Sequence, residues 1–189
     1  MKKGANLVLA LLAVLPFITA HSQTSDDTKM MMAYMTPGDV HQMMAKSAGT
    51  WTGNITMWMN PNAQPTTMTC DAKTEMILGG RYLQAKNTGN MMGMPFEGIG
   101  VTGFDNAKKV FVSTWIDNFG TGIMYMEGTW DPATKTINFT GKMVDPTTGK
   151  DVPVRETLQF IDDNTQLFEM FLTGQGKEFK TMQIKYTRK

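Results

Sequence analysis

The sequence is short of the residues that build covalent and catalytic machinery. One cysteine, Cys70, occurs in 189 residues, which excludes an internal disulfide and a cysteine-rich zinc site. The histidines are His21 and His41, and none follows His41. A serine or cysteine nucleophile in the body of the chain therefore lacks a nearby imidazole base. Histidine-ligated haem likewise has no ligand on a late segment. Arginine is scarce, with three residues against fifteen lysines. Excess charge of one sign is also missing. Setting aside residues 1–22 removes Lys2 and Lys3 from 18 basic residues and leaves 16 against 17 acidic ones, a net charge near −1. That balance gives no electrostatic footprint for nucleic acid or an anionic membrane. The long apolar stretch, residues 5–20, contains Pro16 and falls short of the roughly 20 residues a spanning helix needs.

What is present at the N-terminus reads as an export signal. Lys2 and Lys3 precede the apolar stretch, and small residues follow at Ala20 and Ser22, so cleavage is expected after Ser22, with Ala20 the second choice. The mature protein is then exported, periplasmic or secreted, with no membrane span. Residues 23–35 carry the Met30–Met32 run with neither helical nor strand period and read as a flexible, methionine-rich leader. "TPGDVHQMMAKSAG" follows, with Thr36 as N-cap, Pro37 at the first helical position and Gly49 as the stop, which predicts one short helix over 37–47.

From Gly49 onward the chain alternates β-type runs with turn chemistry. The turns are expected at 60–65, Gly79-Gly80, "NTGN" (87–90), "DNAK" (105–108), "DNFG" (117–120), "DPAT" (131–134), "DPTTGKD" (145–151), "DDNT" (162–165) and "GQGK" (174–177). Nine turns separate ten strands. Short connections without long helices require antiparallel neighbours, and ten strands in one domain close to remove their edges. The fold class is all-β: a ten-stranded antiparallel up-and-down barrel with one short N-terminal helix, over residues 36–189. Alternation puts Trp51, Ile55, Met57 and Met59 on one face, and Met68, Cys70, Ala72, Met76 and Leu78 on one face of the next run. "VFVSTWID" and "QLFEMFL" are apolar on both faces, which implies a cover on one outer face, either the helix or a second subunit in a homodimer.

Gly49-Thr50-Trp51 at the start of the first strand, preceded by a short helix, resembles the Gly-x-Trp signature of lipocalins and other calycins. The resemblance implies a calycin-like barrel whose tryptophan plugs the closed end under an arginine from near the last strand, here Arg188. The blocks "LGGRYL", "GMPFEGIGVTGFDNAKKVFVSTWIDNFGTGI", "GTWDPATKTINFTGKMVDPTTGK" and "MQIKYTRK" are similar to a bacterial family known as domain of unknown function 1579, over residues 46–188. That resemblance implies a barrel and carries over no catalytic residues.

"GIGVTG" (98–103) matches Gly-x-Gly-x-x-Gly, but a strand runs through it where a dinucleotide site needs a strand-to-helix turn, so the glycines read as strand-bending positions. The 19 methionines suit core filler or adaptable lining for an apolar ligand. The expected function is binding of a small apolar or amphipathic molecule inside the barrel. The cavity candidates are Met57, Met59, Met68, Met76, Arg81, Glu97, Trp115, Tyr125 and Arg155, although strict alternation sets Arg155 opposite Val152, Val154, Leu158 and Phe160. No catalytic residue, metal site or cofactor is predicted. Cu(I) on Met91, Met92 and Met94 with Met30–Met32, or haem held by methionine or tyrosine, are the residual cofactor options. The alternatives are an isomerase or hydrolase using Glu97, Asp117 or Arg155 at the open end, and an interaction module presenting Trp58 or Trp130.

Overall fold

The computed structural model describes residues 23–174 and 176–189. The expected export signal, residues 1–22, lies outside the described residues. Residues 23–35, read from sequence as a leader without period, are the helix α1 (Gln23–Met35). Its apolar side chains show no facing stripe; Met30, Met31 and Met32 are all more than half exposed. The unit from Tyr34 to Lys189 is compact. It begins with α2 (Asp39–Ala45), which starts two residues later than the sequence suggests. Gly38 rather than Thr36 is the N-cap, and its N–H donates to His41 Nδ1 at 3.1 Å.

Ten strands follow: β1 Gly49–Met57, β2 Thr66–Ile77, β3 Tyr82–Met91, β4 Met94–Asp105, β5 Val110–Asp117, β6 Met124–Asp131, β7 Thr136–Val144, β8 Asp151–Asp162, β9 Thr165–Gly174 and β10 Lys177–Arg188. Each pairs antiparallel with its sequence neighbours, and β1 pairs with β10 to close the barrel. The up-and-down order follows from the short connections. One turn is displaced from its expected place. "NTGN" runs on as part of β3, and the hairpin is made by Met92 (φ 53°) and Gly93 (φ 81°). Methionine is a poor advertisement for a left-handed turn position.

The register fixes which side chains enter the barrel. Trp51, Gly53, Ile55 and Met57 of β1 stand opposite Ala72, Cys70, Met68 and Thr66 on β2 and opposite Arg188, Tyr186, Ile184 and Met182 on β10. Around the far wall the inward series includes Phe111, Ser113, Trp115 and Asp117 on β5, and Met124 and Met126 on β6. One end is filled: Met44 of α2 packs with Phe111, Met126, Ile137, Phe139 and Val154, and His41 lies edge-on to Phe104 at 6.2 Å. Burial and the positive charge of Arg81 depress the His41 imidazole, so it stays neutral as a hydrogen-bond acceptor.

The same end is locked by Trp51. Its Nε1–H donates to Ser47 O at 3.0 Å and the Arg188 guanidinium carbon lies 4.1 Å from its ring centroid. Arg188 donates from Nη1 to Ala48 O (2.7 Å), from Nη2 to Lys46 O (2.6 Å) and from Nε to Asp163 O (3.0 Å). Gly49 (φ 141°) makes room for this fork, because a Cβ there would stand 2.5 Å from Arg188 Nη1.

Candidate functional site

The two halves of the barrel interior differ. Near the Trp51 end the inward side chains are sealed; Met126, Ile137 and Phe111 are each about 1% exposed. Toward the opposite end the inward Met57, Met68, Met124, Met143 and Met182 are only half-buried although they face into the barrel. At that end the inward wall is made of thioethers, one inward step beyond the sealed Ile55, Cys70, Met126 and Ile184. Trp115 lies along its wall over Gly98 and Gly100, stacks with Phe96 at 6.4 Å and donates from Nε1 to Asp117 Oδ2 at 2.8 Å.

The polar groups of the interior lie below the methionines. Tyr186 crosses over Gly53, where any Cβ would meet Cys70 Sγ at 2.6 Å and the tyrosine ring at 3.0 Å, and its OH donates to Asn87 Oδ1 at 3.1 Å. Gln166 Nε2 donates to Ser47 Oγ at 2.9 Å, nearer the closed end. Burial pushes both the Tyr186 phenol and the Cys70 thiol up from their ordinary values.

Glu156 is the exception in this set. It sits in the inward series of β8 between Val154 and Leu158, paired with Phe139 on β7 and Met170 on β9, and is 8% exposed. No hydrogen bond or ion pair to its carboxyl occurs among the described residues. Because no fully sealed side-chain oxygen among the described residues lacks a partner, its oxygens keep a small residual exposure. Burial alone pushes its pKa up to about 7. The carboxyl is therefore poised between its neutral and charged forms near neutral pH.

The residues singled out from sequence divide by face. Met57, Met68, Met76 and Trp115 face the interior. Met59 lies beyond the end of β1 and is 77% exposed, because the two-residue alternation stops with the strand. Arg81 is in the β2–β3 connection, donating to Leu78 O and Met35 O. Glu97 is on the outer face in an ion pair with Lys86 at 2.8 Å. Tyr125 is paired with the outward Thr114 and donates its OH to Glu127 at 2.8 Å. Arg155 is outside, forked onto Glu178 at 2.7 and 2.8 Å and stacked over Phe171 at 3.8 Å.

Glu97, Asp117 and Arg155 thus do not converge. Asp117 faces inward, while Glu97 beside it in the sheet and Arg155 on β8 face outward. Among the described residues no group of three or more His, Cys, Asp and Glu side chains could hold a metal ion, and no helix is long and apolar enough to cross a membrane. Two shallow depressions of about 470 and 450 Å³ are lined by Asn54, Ile55, Thr56, Thr67, Met68 and Thr69 and by Ile123, Tyr125, Glu127, Thr140, Gly141 and Lys142. Neither contains a buried polar group without a partner.

Sequence reasoning missed Glu156, Asn87 and Tyr186. The signal for Glu156 was available: it is the one charged residue in the alternating series Val152, Val154, Glu156, Leu158, Phe160.

A closed ten-stranded antiparallel barrel with a tryptophan-and-arginine lock at one end is lipocalin-like in architecture. Within that class the chain belongs to the family described as protein of unknown function (DUF1579), whose model matches residues 36–188. No curated protein matches the sequence. Among solved structures it is similar to Rv2717c from M. tuberculosis, with a TM-score of 0.61 at 14% identity over 82% of this chain and 99% of that one. It is also similar to the S-type phycobiliprotein lyase CPES from Guillardia theta, with a TM-score of 0.58 at 12% identity over 84% of this chain and 96% of that one. These likenesses show the fold.

Proposed function

We propose that this protein binds one small, largely apolar molecule in the barrel lumen, entering at the end opposite Trp51. The observation that carries the reading is Glu156, a carboxyl buried in the apolar inward series of β8 with no partner among the described residues. A buried polar group left unmade costs about 1–3 kcal/mol, more if charged, so such a group is retained where something else completes it. The methionine walls support an apolar body for that molecule, because unbranched thioethers re-pack around varied shapes at little cost. The name of the phycobiliprotein lyase relative is compatible with a ligand-holding barrel, but at 12% identity the support comes from the lining itself.

Export belongs to the same reading, on the strength of Lys2, Lys3 and the apolar stretch at 5–20. Native mass spectrometry of the protein purified from its own cells tests both parts. The expected species starts at Gln23 and carries a single small-molecule adduct that is lost on denaturation. A chain beginning at Met1 contradicts export, and a bare barrel that binds no apolar probe contradicts the ligand.

A further inference from the structure

We propose that the lumen selects an apolar molecule bearing a protonated amine or comparable N–H donor, which Glu156 accepts at the base of the methionine walls. This rests on the lumen being the binding site, as above, and adds the chemical class of what occupies it. Glu156 has no side-chain donor beside it in the sheet. On the strands packed beside Glu156, the inward neighbours are Phe139, Gly141 and Ile137 of β7 and Phe168, Met170 and Leu172 of β9, none of which can donate from its side chain.

The titratable groups that face inward elsewhere are Tyr186, Cys70, Asp117 and, at the closed end, His41. Tyr186 gives its proton to Asn87, Asp117 accepts from Trp115 Nε1 and from the N–H groups of Phe119 and Gly120, and His41 accepts from Gly38. Arg188 is the one basic side chain on the inward series among the described residues, and its guanidinium is committed to the Lys46, Ala48 and Asp163 carbonyls. No cation of the chain offsets Glu156.

The ligand classes then separate on charge. A carboxylate or phosphate would bring like charge to a desolvated acid, and a wholly apolar molecule would leave the acid unpaired. An ammonium completes it and gains a charge-assisted hydrogen bond in a low-dielectric wall. Binding an ammonium must ionise whatever fraction of Glu156 is neutral, so it expels a proton; the proton leaves the Glu156 carboxyl for bulk buffer.

Isothermal titration calorimetry of the mature protein at pH 7 with octylamine, octan-1-ol and octanoate tests this. The expected result is that octylamine binds at least about tenfold tighter than octan-1-ol, with octanoate weakest. Octylamine binding should release about half a proton, read from buffers of different ionisation enthalpy. Glu156→Gln should erase the amine preference and the proton release. The proton count on the unaltered protein keeps the test valid if the variant fails to fold. If octan-1-ol binds but the amine preference is absent or survives in E156Q, the selection is overturned and the lumen reading stands. If none of the three binds, both are overturned.

Discussion

The Arg188 guanidinium lies over the Trp51 ring, 4.1 Å from its centroid, on residues directly opposite each other in the pairing of first and last strands. A cation on an aromatic face and three carbonyl acceptors on one fork join the strand that opens the barrel to the strand that closes it. The two side chains should therefore behave as one unit. Trp51→Ala should cost about 3–5 kcal/mol in denaturant unfolding. Combined with Arg188→Ala, the loss should fall short of additivity by about 0.5–2 kcal/mol. Full additivity would mean that the two do not support each other.

Gly53 has a separate duty in the same strand. Its missing Cβ leaves the space in which Tyr186 passes Cys70 to reach Asn87. Gly53→Ala should destabilise the barrel by about 1–3 kcal/mol through overpacking. Tyr186→Phe should cost about 1 kcal/mol by orphaning one acceptor, without the overpacking term. Equal effects of the two changes would count against this packing.

Stability should depend on pH through Glu156 in an uncommon direction. Its folded pKa, about 7, is raised above the ordinary value of 4.5, so the folded state holds a proton that the unfolded chain has lost over that interval. Stability should thus be highest below about pH 4.5 as far as this group is concerned, and fall by about 3 kcal/mol as pH rises to 7, then level off. Glu156→Gln should remove that slope, so the variant should be the more stable protein at pH 8 and close to wild type at pH 5. Urea midpoints measured across that range check the crossing.

The outer Arg155–Glu178 pair serves as a control. Both side chains are about a third or more exposed, so the fork contributes little in water, and Arg155 also covers Phe171. Arg155→Met should lower stability by no more than about 1 kcal/mol and leave ligand affinity unchanged. A loss of binding in that variant would move the site to the outside of the barrel.

Alternation was legible wherever a strand runs straight. It placed Met57, Met68 and Met76 inside and set Arg155 opposite the apolar series of its strand. It failed where strands end, because Met59 and Leu78 continue the period in sequence but not in space. The cavity candidate Tyr125 lies outside because the β5–β6 connection sets Trp115 opposite Met124. The candidate site was missed for a chemical reason. Glu156 stands between the polar Arg155 and Thr157, which masks its place in the inward series Val152, Val154, Leu158 and Phe160 until the register displays it.

The methionines offer the most direct measurement of the central claim, since they lie on both sides of the barrel wall. Two-dimensional NMR of the protein labelled with 13C at the methionine methyls should be recorded while octylamine is added. Shifts are expected at the inward Met57, Met68, Met124, Met143, Met170 and Met182, with the exposed Met30, Met31, Met59 and Met92 unmoved. Shifts confined to the exposed set, or a saturating ligand that moves none of the inward methyls, would contradict it.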